Sequence, residues 1–514
     1  MKTAQALEHV DVVVVGAGLS GIGAAAQLRR GVPGLSLAVL ESRGALGGTW
    51  DLFRYPGVRS DSDMYTLGYR FRPWTGAKAI ADAADIRDYL SATADEEGVT
   101  PLVRFGQRVV AAEWRSADAR WELTVLRRDP AAGEWTEAEG GATVRMTCSF
   151  LFACTGYYRY DEGWTPEIDG LDSFGGDVVH PQRWPEDLPV RGGRAVVIGS
   201  GATAVTLVPA LARQGAAVTM LQRSPTYVAA VPSRDRLAGR LAGRVPPTLA
   251  YRIVRAKRIL GSILLYQLAR RRPETMKRTL RQAAVAKLPA GFDVDTHFTP
   301  RYEPWDQRLC AVPSGDLFRA ISSGEAEVVT GAIERIEPDG VRLTDGRHVP
   351  ADVLVTATGL NVLGLGGMRL TVDGRPVDPG ARLAYKGMML DGVPNLAFTI
   401  GYTNASWTLK ADLVAGLVVR LLRRMRRRGT PIAVVPEQPA GGATAPLIEL
   451  SSGYVRRGEH LLPRQGLRAP WRLHQNYLRD LVLFRLARLG RSVRFEGRHE
   501  EPAAAARQKE EVPA

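Results

Sequence analysis

The stretch "VDVVVVGAGLSGIGAAAQLRR", residues 10–30, decides the fold of this 514-residue chain. It opens with a continuous apolar run, which is typical of a strand buried on both faces of a parallel sheet. A glycine turn and a helical pattern follow, and "LSLAVLES" at residues 35–42 predicts the next strand. The order strand, turn, helix, strand indicates a βαβ dinucleotide-binding unit.

Each fixed position of this first motif has a physical task. Gly16 permits the tight turn, Gly18 lets the backbone approach a pyrophosphate, and Gly21 lets the helix pack on the strand. Glu41 lies 20 residues beyond Gly21, at the end of the second strand, where a carboxylate can accept both ribose hydroxyls. Because that carboxylate would repel a 2′-phosphate, the unit is predicted to prefer FAD or NAD over NADP.

A second βαβ unit begins with the strand pattern "RAVVIGS". Its turn has the form GxGxxA, with fixed positions Gly199, Gly201 and Ala204. Arg223 stands 19 residues beyond Ala204, and Ser224 follows it. A guanidinium and a hydroxyl suit a 2′-phosphate, so this unit is predicted to bind NADPH. The alternative for Arg223 is one more surface arginine in an arginine-rich chain.

Composition, length and cysteine content limit the class of protein. Hydrophobic residues make up 45% and charged residues 24%, as in ordinary soluble proteins, and the length suggests two to three domains. Cys148, Cys154 and Cys310 form no CxxC pair, so no disulfide framework is expected and the cytoplasm is the predicted location. Neither a signal peptide nor a membrane span is expected.

The net charge of +14 has two interpretations. A solvated, arginine-rich surface is favoured, and attraction to an anionic partner is the alternative. No nucleic-acid motif accompanies the charge, so no nucleic-acid partner is predicted. Residues 251–282 are helical in pattern, basic at the flanks and apolar in the middle. An interior helix packed on its own domain is the favoured interpretation. The alternatives are a peripheral contact with the inner membrane face and self-association into a homo-oligomer.

Two further stretches carry a family resemblance: "GGTWDLFRYPGVRSD" at residues 47–61 and "FGGDVVHPQRWP" at residues 174–185. With them, the chain from about residue 9 to 495 resembles the Baeyer–Villiger monooxygenases, which belong to the class B flavin-containing monooxygenases. The segment "GYTNASWTLKADLV" is similar to the mycobacterial ethionamide-activating subgroup. The matched fingerprint positions are Phe174, Gly176, His180, Trp184 and Pro185 in one pattern and Gly47, Gly48, Trp50, Tyr55, Pro56, Gly57 and Asp61 in the other.

The resemblance implies an α/β fold of two Rossmann-like dinucleotide-binding domains, for FAD and NADPH, with a helical insertion in the NADPH domain. Its predicted parts are an FAD domain at 8–158 and 363–497, a linker at 159–190, an NADPH domain at 191–230 and 299–362, the insertion at 231–298 and a disordered tail at 498–514.

The resemblance also implies site residues. Arg308, in "DQRL", matches the catalytic arginine of the family, and Asp61 is its expected orienting partner. Gln307 stands where many members have lysine, so more of the NADPH preference rests on Arg223. No metal site is predicted. The expected flavin contacts are Gly16, Gly18, Ser20, Gly21, Glu41, Thr49, Trp50, Asp51, Leu52, Asp61 and Val109. The stretch Arg59, Ser60 and Asp61 is expected to be shared between flavin and nicotinamide. The expected NADPH contacts are Gly199, Ser200, Gly201, Ala202, Thr203, Ala204, Arg223 and Ser224.

The implied activity is an NADPH- and O₂-dependent oxidation of ketones to esters through a C4a-peroxyflavin, with sulfides as secondary substrates. A fixed guanidinium would stabilise negative charge on oxygen and would not give up its proton. One alternative is a hydroxylase of nitrogen or sulfur, including thioamide S-oxidation, and another is a non-catalytic flavin-binding protein. A flavin disulfide reductase would need a redox-active cysteine pair. Residues near 403–408 are expected in the substrate pocket.

His180 invites a catalytic interpretation, but the implied chemistry needs neither a histidine base nor a metal ligand. Its stretch lies between the two predicted dinucleotide units. We therefore expect His180 to hydrogen-bond across the joint between domains, with Trp184 and Pro185 stiffening a hinge.

Overall fold

Two sheets built on parallel strands form the framework of the chain. The structure, a computed structural model, describes residues 7–132, 141–307, 309–439, 441–486 and 489–497. Two predicted features, Arg308 and the tail at 498–514, lie outside these residues.

The first sheet contains the strand that opens the sequence motif. Glu8–Val15 pairs in parallel with Leu37–Leu40 on one side and Ala142–Ala153 on the other. Its valines are buried because apolar clusters cover both faces of the sheet. The nine strands are, in spatial order, Arg375–Val377, Arg369–Val372, Gln107–Arg115, Arg120–Arg127, Ala142–Ala153, Glu8–Val15, Leu37–Leu40 and Val103–Arg104, with Leu396–Phe398 also paired to Ala142–Ala153.

Helices Leu19–Gly31 and Trp407–Arg428 pack against each other beside this sheet. Short paired strands and further helices complete the same half of the molecule. These are the helices Thr49–Leu52, Met64–Leu67, Ala83–Glu96, Gly453–Gly458, Tyr477–Arg485 and Leu489–Ser492, and the strand pairs Ala384–Tyr385 with Met389–Leu390, Ile432–Val434 with Arg494–Glu496, and Thr444–Pro446 with Arg464–Gly466.

The second sheet is wholly parallel and belongs to the second glycine motif. Helix Ala202–Arg213 packs on one face, and a three-stranded antiparallel sheet packs on the other. The five strands of the parallel sheet are, in order, Ala326–Thr330, Ala217–Gln222, Arg194–Ile198, Val353–Val355 and Asp177–Val179. The antiparallel strands are Ile333–Glu337, Gly340–Leu343 and His348–Pro350, and nearby lie helix Asp316–Ser322 and the parallel pair Val228–Val231 with Cys310–Pro313.

The predicted insertion consists of helices Arg236–Leu241, Pro247–Arg271, Pro273–Val285 and Val294–Phe298. The long helix docks on the first half of the molecule. Arg255 Nη1 donates to the carbonyl oxygens of Tyr65 and Gly68, at 2.7 and 2.8 Å. The guanidinium thereby satisfies backbone acceptors at the end of the short helix Met64–Leu67.

The expectation of an interior helix packed on its own domain is therefore wrong in two respects. The long helix contacts the half of the molecule that contains the first sheet rather than the second unit alone, and several of its leucines are exposed. A single sequence gives the helical period but not the neighbour that covers each face. No helix in the described part of the chain combines the length and hydrophobicity needed to cross a bilayer.

Candidate active site

The first glycine turn is held in the tight form that the motif requires. Gly16 has φ +100°, and a Cβ there would lie 2.8 Å from the carbonyl oxygen of Cys154. A Cβ on Gly21 would collide with the carbonyl oxygen of Gly16. Helix Leu19–Gly31 starts directly behind the turn, so its free N–H groups and positive dipole end face the place where a pyrophosphate would lie.

Glu41 is bound to this turn by its own carboxylate. Oε2 accepts from the backbone N–H of Ala17 at 2.7 Å, and Oε1 accepts from that of Arg43 at 2.9 Å. Burial raises the pKa of Glu41 above its ordinary value, although both backbone hydrogen bonds oppose the change. Ser42 Oγ also donates to Oε1, at 3.3 Å. A carboxylate has about four acceptor sites, so about one remains, on Oε2, for a ribose hydroxyl. The turn and Glu41 together fit the pyrophosphate and ribose of an adenine dinucleotide.

A cleft of about 370 Å³, partly open to solvent, runs from this turn to the second unit. That volume lies within the range of ordinary ligand pockets, about 300–1000 Å³. The predicted residues that line it are Gly16, Gly18, Ser20, Glu41, Thr49, Trp50, Arg59, Ser60, Asp61, Val109, Ala202 and Thr203.

Several other predicted contacts do not line the cleft. Asp51 is buried and pairs with Arg43 and Arg54, at 2.8 and 2.6 Å. Leu52, Gly21 and Ala204 are buried as packing residues. Asp51 thus belongs to an ion network behind the cleft, where it steadies the segment that carries Thr49 and Trp50.

The second glycine turn repeats the geometry of the first. Gly199 has φ +142°, and a Cβ there would collide with the carbonyl oxygen of Ala357. The Gly201 position faces open space. Ser200 Oγ hydrogen-bonds Thr226 Oγ1 at 2.8 Å and donates to the carbonyl oxygen of Ser224 at 3.1 Å. The turn therefore lies against the segment of Arg223 and Ser224, whose side chains are exposed. These residues fit a dinucleotide with a 2′-phosphate.

The fingerprint at residues 47–61 forms the joint between the two units. Tyr55 is buried in the core cluster of the second unit, and burial raises its pKa to about 12. Arg59 pairs with Asp316, with Nη1 2.5 Å from Oδ2. Sequence reasoning missed Asp316. The residue begins a helix after a glycine, but nothing in the sequence indicates its distant partner.

Arg308, the predicted catalytic residue, lies outside the described residues, so its contact with Asp61 stays a prediction. The segment before it is tied down. Asp306 Oδ1 accepts from Arg270 at 2.6 Å, and its carbonyl oxygen accepts from the N–H of Ser451 at 2.8 Å. Beyond it, Ala311 lines the cleft, as does Asp61.

Aromatic side chains form much of the wall, and two of them, Tyr157 and Tyr160, were not assigned from the sequence. Trp407 Nε1 donates to Ser20 Oγ at 2.7 Å, and its ring stacks on Tyr157 with centroids 5.4 Å apart. Tyr160 Oη lies 3.2 Å from Thr49 Oγ1. Ala405 and Trp407, from the segment expected in the substrate pocket, line the cleft together with Tyr402.

His180 lies where the chain crosses between the units. The two crossing segments, Tyr158–Gly163 and Leu360–Val362, pair as antiparallel strands. His180 Nδ1 accepts from the N–H of Gln182 at 3.1 Å, which assigns the proton to Nε2, and Nε2 donates to the carbonyl oxygen of Gly359 at 3.1 Å. Burial lowers the pKa of His180, which favours this neutral form. Its role as a hinge stays a prediction.

The three cysteines are buried and form no disulfide with one another in the described part of the chain. Cys154 lines the cleft, and burial raises the pKa of its thiol to about 12. Away from the glycine turns, His348 Nε2 lies 3.3 Å from Asp339 and 3.5 Å from Glu337 on the antiparallel sheet. Arg342 also pairs with Glu337, at 3.0 Å, so this carboxylate already has a cationic partner.

Comparisons with known proteins agree with this geometry. Residues 14–78 match the NAD(P)-binding Rossmann-like domain. Over 483 residues the chain is 51% identical to the FAD-containing monooxygenase EthA of Mycobacterium tuberculosis (strain ATCC 25618 / H37Rv), covering 94% of this chain and 96% of that protein. The chain belongs to the FAD-containing monooxygenases. Another member, the probable FAD-binding monooxygenase AlmA of Acinetobacter baylyi (strain ATCC 33305 / BD413 / ADP1), is 43% identical over 490 residues, with 94% and 95% coverage.

Solved structures show the same fold for this FAD-containing monooxygenase. Oxidized steroid monooxygenase bound to NADP matches with a TM-score of 0.72 and 21% identity, covering 95% of this chain and all of that one. The open structure of cyclohexanone monooxygenase matches with a TM-score of 0.67 and 20% identity, over 83% and 90%. The predicted α/β class with two Rossmann-like units is confirmed, as is the resemblance to flavin-containing monooxygenases.

Proposed function

We propose that this FAD-containing monooxygenase holds FAD at the first glycine turn and NADPH at the second, and uses O₂ to oxidise ketones to esters. One observation carries the proposal. Each of the two glycine turns has a charged residue where the ribose of a dinucleotide would lie, the acidic Glu41 in the first unit and the basic Arg223 in the second, and the two units are joined across one cleft. Relatives of the same fold support it, since one was solved with NADP and another, OTEMO, with FAD and NADP.

The residues at the two glycine turns would bind the cofactors through their position and charge. Backbone N–H groups behind Gly16 would bind the FAD pyrophosphate, and Glu41 would accept from a ribose hydroxyl. Arg223 and Ser224 would donate to the 2′-phosphate of NADPH. When bound, FAD would supply the redox chemistry that NADPH drives and that activates O₂.

Arg308 is the residue that we assign to the charge that develops on oxygen. A guanidinium stays protonated, so it stabilises an oxyanion without donating its proton to it. Asp61 lines the cleft, and its carboxylate would orient that guanidinium. The stacked pair Tyr157 and Trp407, with Tyr402, would enclose an apolar substrate and keep water away from it.

A panel of linear, cyclic and aryl ketones, together with sulfides and a thioamide, tests the activity. We expect NADPH use that rises with ketone and an ester that carries one atom from ¹⁸O₂ by mass spectrometry. Sulfoxide or thioamide S-oxide without any ester would favour the heteroatom hydroxylase instead. Recovery of all electrons as hydrogen peroxide with every substrate would contradict both.

Variants of two neighbouring arginines test the assignment of Arg308. Arg308→Ala should bind FAD and accept hydride from NADPH but form no ester. Arg301→Ala removes an exposed arginine from the same segment and should keep the ester yield. A normal ester yield in Arg308→Ala would refute the catalytic assignment.

A further inference from the structure

Two helices of the chain expose a row of large apolar side chains. Leu260, Leu264 and Leu268 recur every fourth residue on helix Pro247–Arg271 and so share one face. Leu478 and Val482 recur likewise on helix Tyr477–Arg485, and Leu486 follows. The most exposed are Leu264 at 71% and Leu486 at 73%. We call these six residues the apolar surface.

The two helices are neighbours that share a buried cluster. Ile259 and Tyr477 belong to one apolar cluster with Tyr402, and Ile263 and Leu481 pack against it. On each helix the exposed residues lie one position beyond the buried ones. The apolar surface therefore belongs to folded, anchored helices rather than to loose segments. Single exposed leucines are ordinary, but six on adjoining helices mark an interaction site.

The two helices that carry the apolar surface are almost free of carboxylates, and the exposed Glu449, which lies near Tyr266 of the long helix, is paired with Arg472. No carboxylate occurs between Asp235 and Glu274, and Asp480 is the only one between residues 477 and 495. Asp480 is buried and paired with Lys410 at 2.7 Å. At the two ends of the long helix, Asp235 is paired with Lys257 and Asp306 with Arg270. The exposed arginines of these segments are Arg252, Arg270, Arg271, Arg272, Arg479 and Arg485.

An arginine-lined cavity extends this positive region. Arg420 Nη1 donates to the carbonyl oxygen of Phe484, which ties the end of helix Trp407–Arg428 to helix Tyr477–Arg485. No carboxylate occurs between Asp412 and Glu437. The cavity is lined by Arg420, Arg423, Arg424, Arg426, Arg427, Gly31, Val32, Pro33 and Leu489.

We propose that this face binds the surface of an anionic phospholipid bilayer, with the leucines in the acyl boundary and the arginines against lipid phosphates. Apolar residues flanked by basic ones are the pattern of interfacial helices. A second copy of the chain is a poor occupant, because a face-to-face dimer would bring two positively charged surfaces together. A nucleic acid would satisfy the arginines but leave the leucines in water. Charge complementarity therefore selects the bilayer.

Flotation of the full-length, FAD-loaded protein with vesicles tests the proposal. We expect binding to vesicles of 70% phosphatidylcholine and 30% phosphatidylglycerol, weaker binding to pure phosphatidylcholine, and release at about 1 M salt, where the Debye length is about 3 Å. The double variant Leu260→Ser/Leu264→Ser should lose about tenfold or more in partitioning. Arg479→Gln/Arg485→Gln should lose about fivefold per arginine on anionic vesicles only.

Matched variants control for general effects. Leu7→Ser/Val144→Ser removes two exposed apolar side chains, one just before the first strand and one in the first sheet, and Arg335→Gln/Arg375→Gln removes two exposed arginines elsewhere. Both should bind vesicles like the parent, and every variant should keep its FAD content. No binding of the parent to anionic vesicles, or equal losses in test and control variants, would overturn the proposal. So would sedimentation of a dimer that only Leu260→Ser/Leu264→Ser dissociates, because the surface would then join two copies.

Discussion

Arg59 and Asp316 form a buried, two-pronged ion pair, with Nη1 2.5 Å from Oδ2 and Nη2 3.3 Å from Oδ1. Their side chains are 8% and 9% exposed. Arg59 belongs to the fingerprint beside the first glycine turn and lines the cleft, whereas Asp316 begins a helix of the second unit. The pair therefore fixes the distance between the two proposed cofactor sites by a contact that is both charged and directional.

Removing one partner of this pair should destabilise the fold. Asp316→Asn leaves the Arg59 guanidinium buried without a counter-charge, so we expect the free energy of unfolding to fall by about 3–5 kcal/mol. The double variant Arg59→Met/Asp316→Leu should recover part of that loss, since no charge stays buried. Urea unfolding followed by circular dichroism measures both. Asp118→Asn breaks an exposed pair with Arg120 and should change stability by less than about 1 kcal/mol. Equal effects of Asp316→Asn and Asp118→Asn would contradict this account.

Glu41 should control FAD affinity. Glu41→Gln replaces a carboxylate by an amide with a single acceptor oxygen, and a hydrogen bond to a charged group contributes about 1.5–3 kcal/mol. We expect FAD to bind about 10- to 100-fold more weakly, as measured by fluorescence titration of the apoprotein. The matched variant Glu334→Gln, at an exposed position of the second unit, should bind FAD like the parent.

The same residue predicts a pH dependence of FAD retention. Burial raises the pKa of Glu41, so as the pH falls through that raised value the carboxylate takes up a proton and loses acceptor capacity. FAD release should therefore begin at a higher pH than an ordinary carboxyl would give. Glu41→Gln should lack that step. A step that persists in Glu41→Gln would assign the effect to another group.

The sequence allowed the prediction of the strand, turn and helix of both glycine motifs, which depend on local spacing. The two glycine turns, Glu41 and the segment of Arg223 lie as the motif register requires, because strand, turn and helix fix one another over about 30 residues. Contacts between residues that are far apart in the sequence could not be predicted. Arg59 and Asp316 are 257 positions apart, and Ser20 and Trp407 are 387 apart. Only the folded chain brings such pairs together.

The long helix of the insertion shows a second limit. Its period and charge were readable, but the same pattern suits a buried helix and an exposed one. The structure distinguishes them through Arg255, whose guanidinium docks on carbonyls near residue 66 and so fixes which face is covered. With that face covered, Leu264 has to be exposed.

Arg223 should set the choice between NADPH and NADH. Arg223→Gln removes the cation proposed for the 2′-phosphate, and Gln307 offers no charge in compensation. We expect KM for NADPH to rise about tenfold or more, with kcat and the parameters for NADH nearly unchanged, because NADH has no 2′-phosphate. Arg213→Gln, at the exposed end of the same unit's helix, serves as the control. If both variants shift KM for NADPH equally, Arg223 contributes only general surface charge.

His180 should make the stability of the fold depend on pH. Burial lowers its pKa in the folded chain, so between that lowered value and the unfolded value of about 6.5 the unfolded chain binds more protons. Stability should therefore fall as the pH drops below about 6.5 and level off below the folded pKa. His180→Gln keeps a donor for the carbonyl oxygen of Gly359 but cannot titrate, so its loss on acidification should be smaller than that of the parent. The midpoints of urea unfolding between pH 5 and 7.5 measure the difference between the parent and His180→Gln. The other histidines do not contribute to this difference, because both proteins contain them.

Kinetic measurements on His180 variants distinguish a coupling role for this residue from a simple packing contact. His180→Ala removes the local hydrogen bond with Gln182 and the long-range one to Gly359, beside a crossing segment, and should slow flavin reduction by NADPH in stopped-flow experiments. His180→Gln, with one bond retained, should fall between His180→Ala and the parent. If His180→Ala is less stable but reduces flavin and forms product at parental rates, the imidazole stabilises the region of the two crossing segments without coupling the two units.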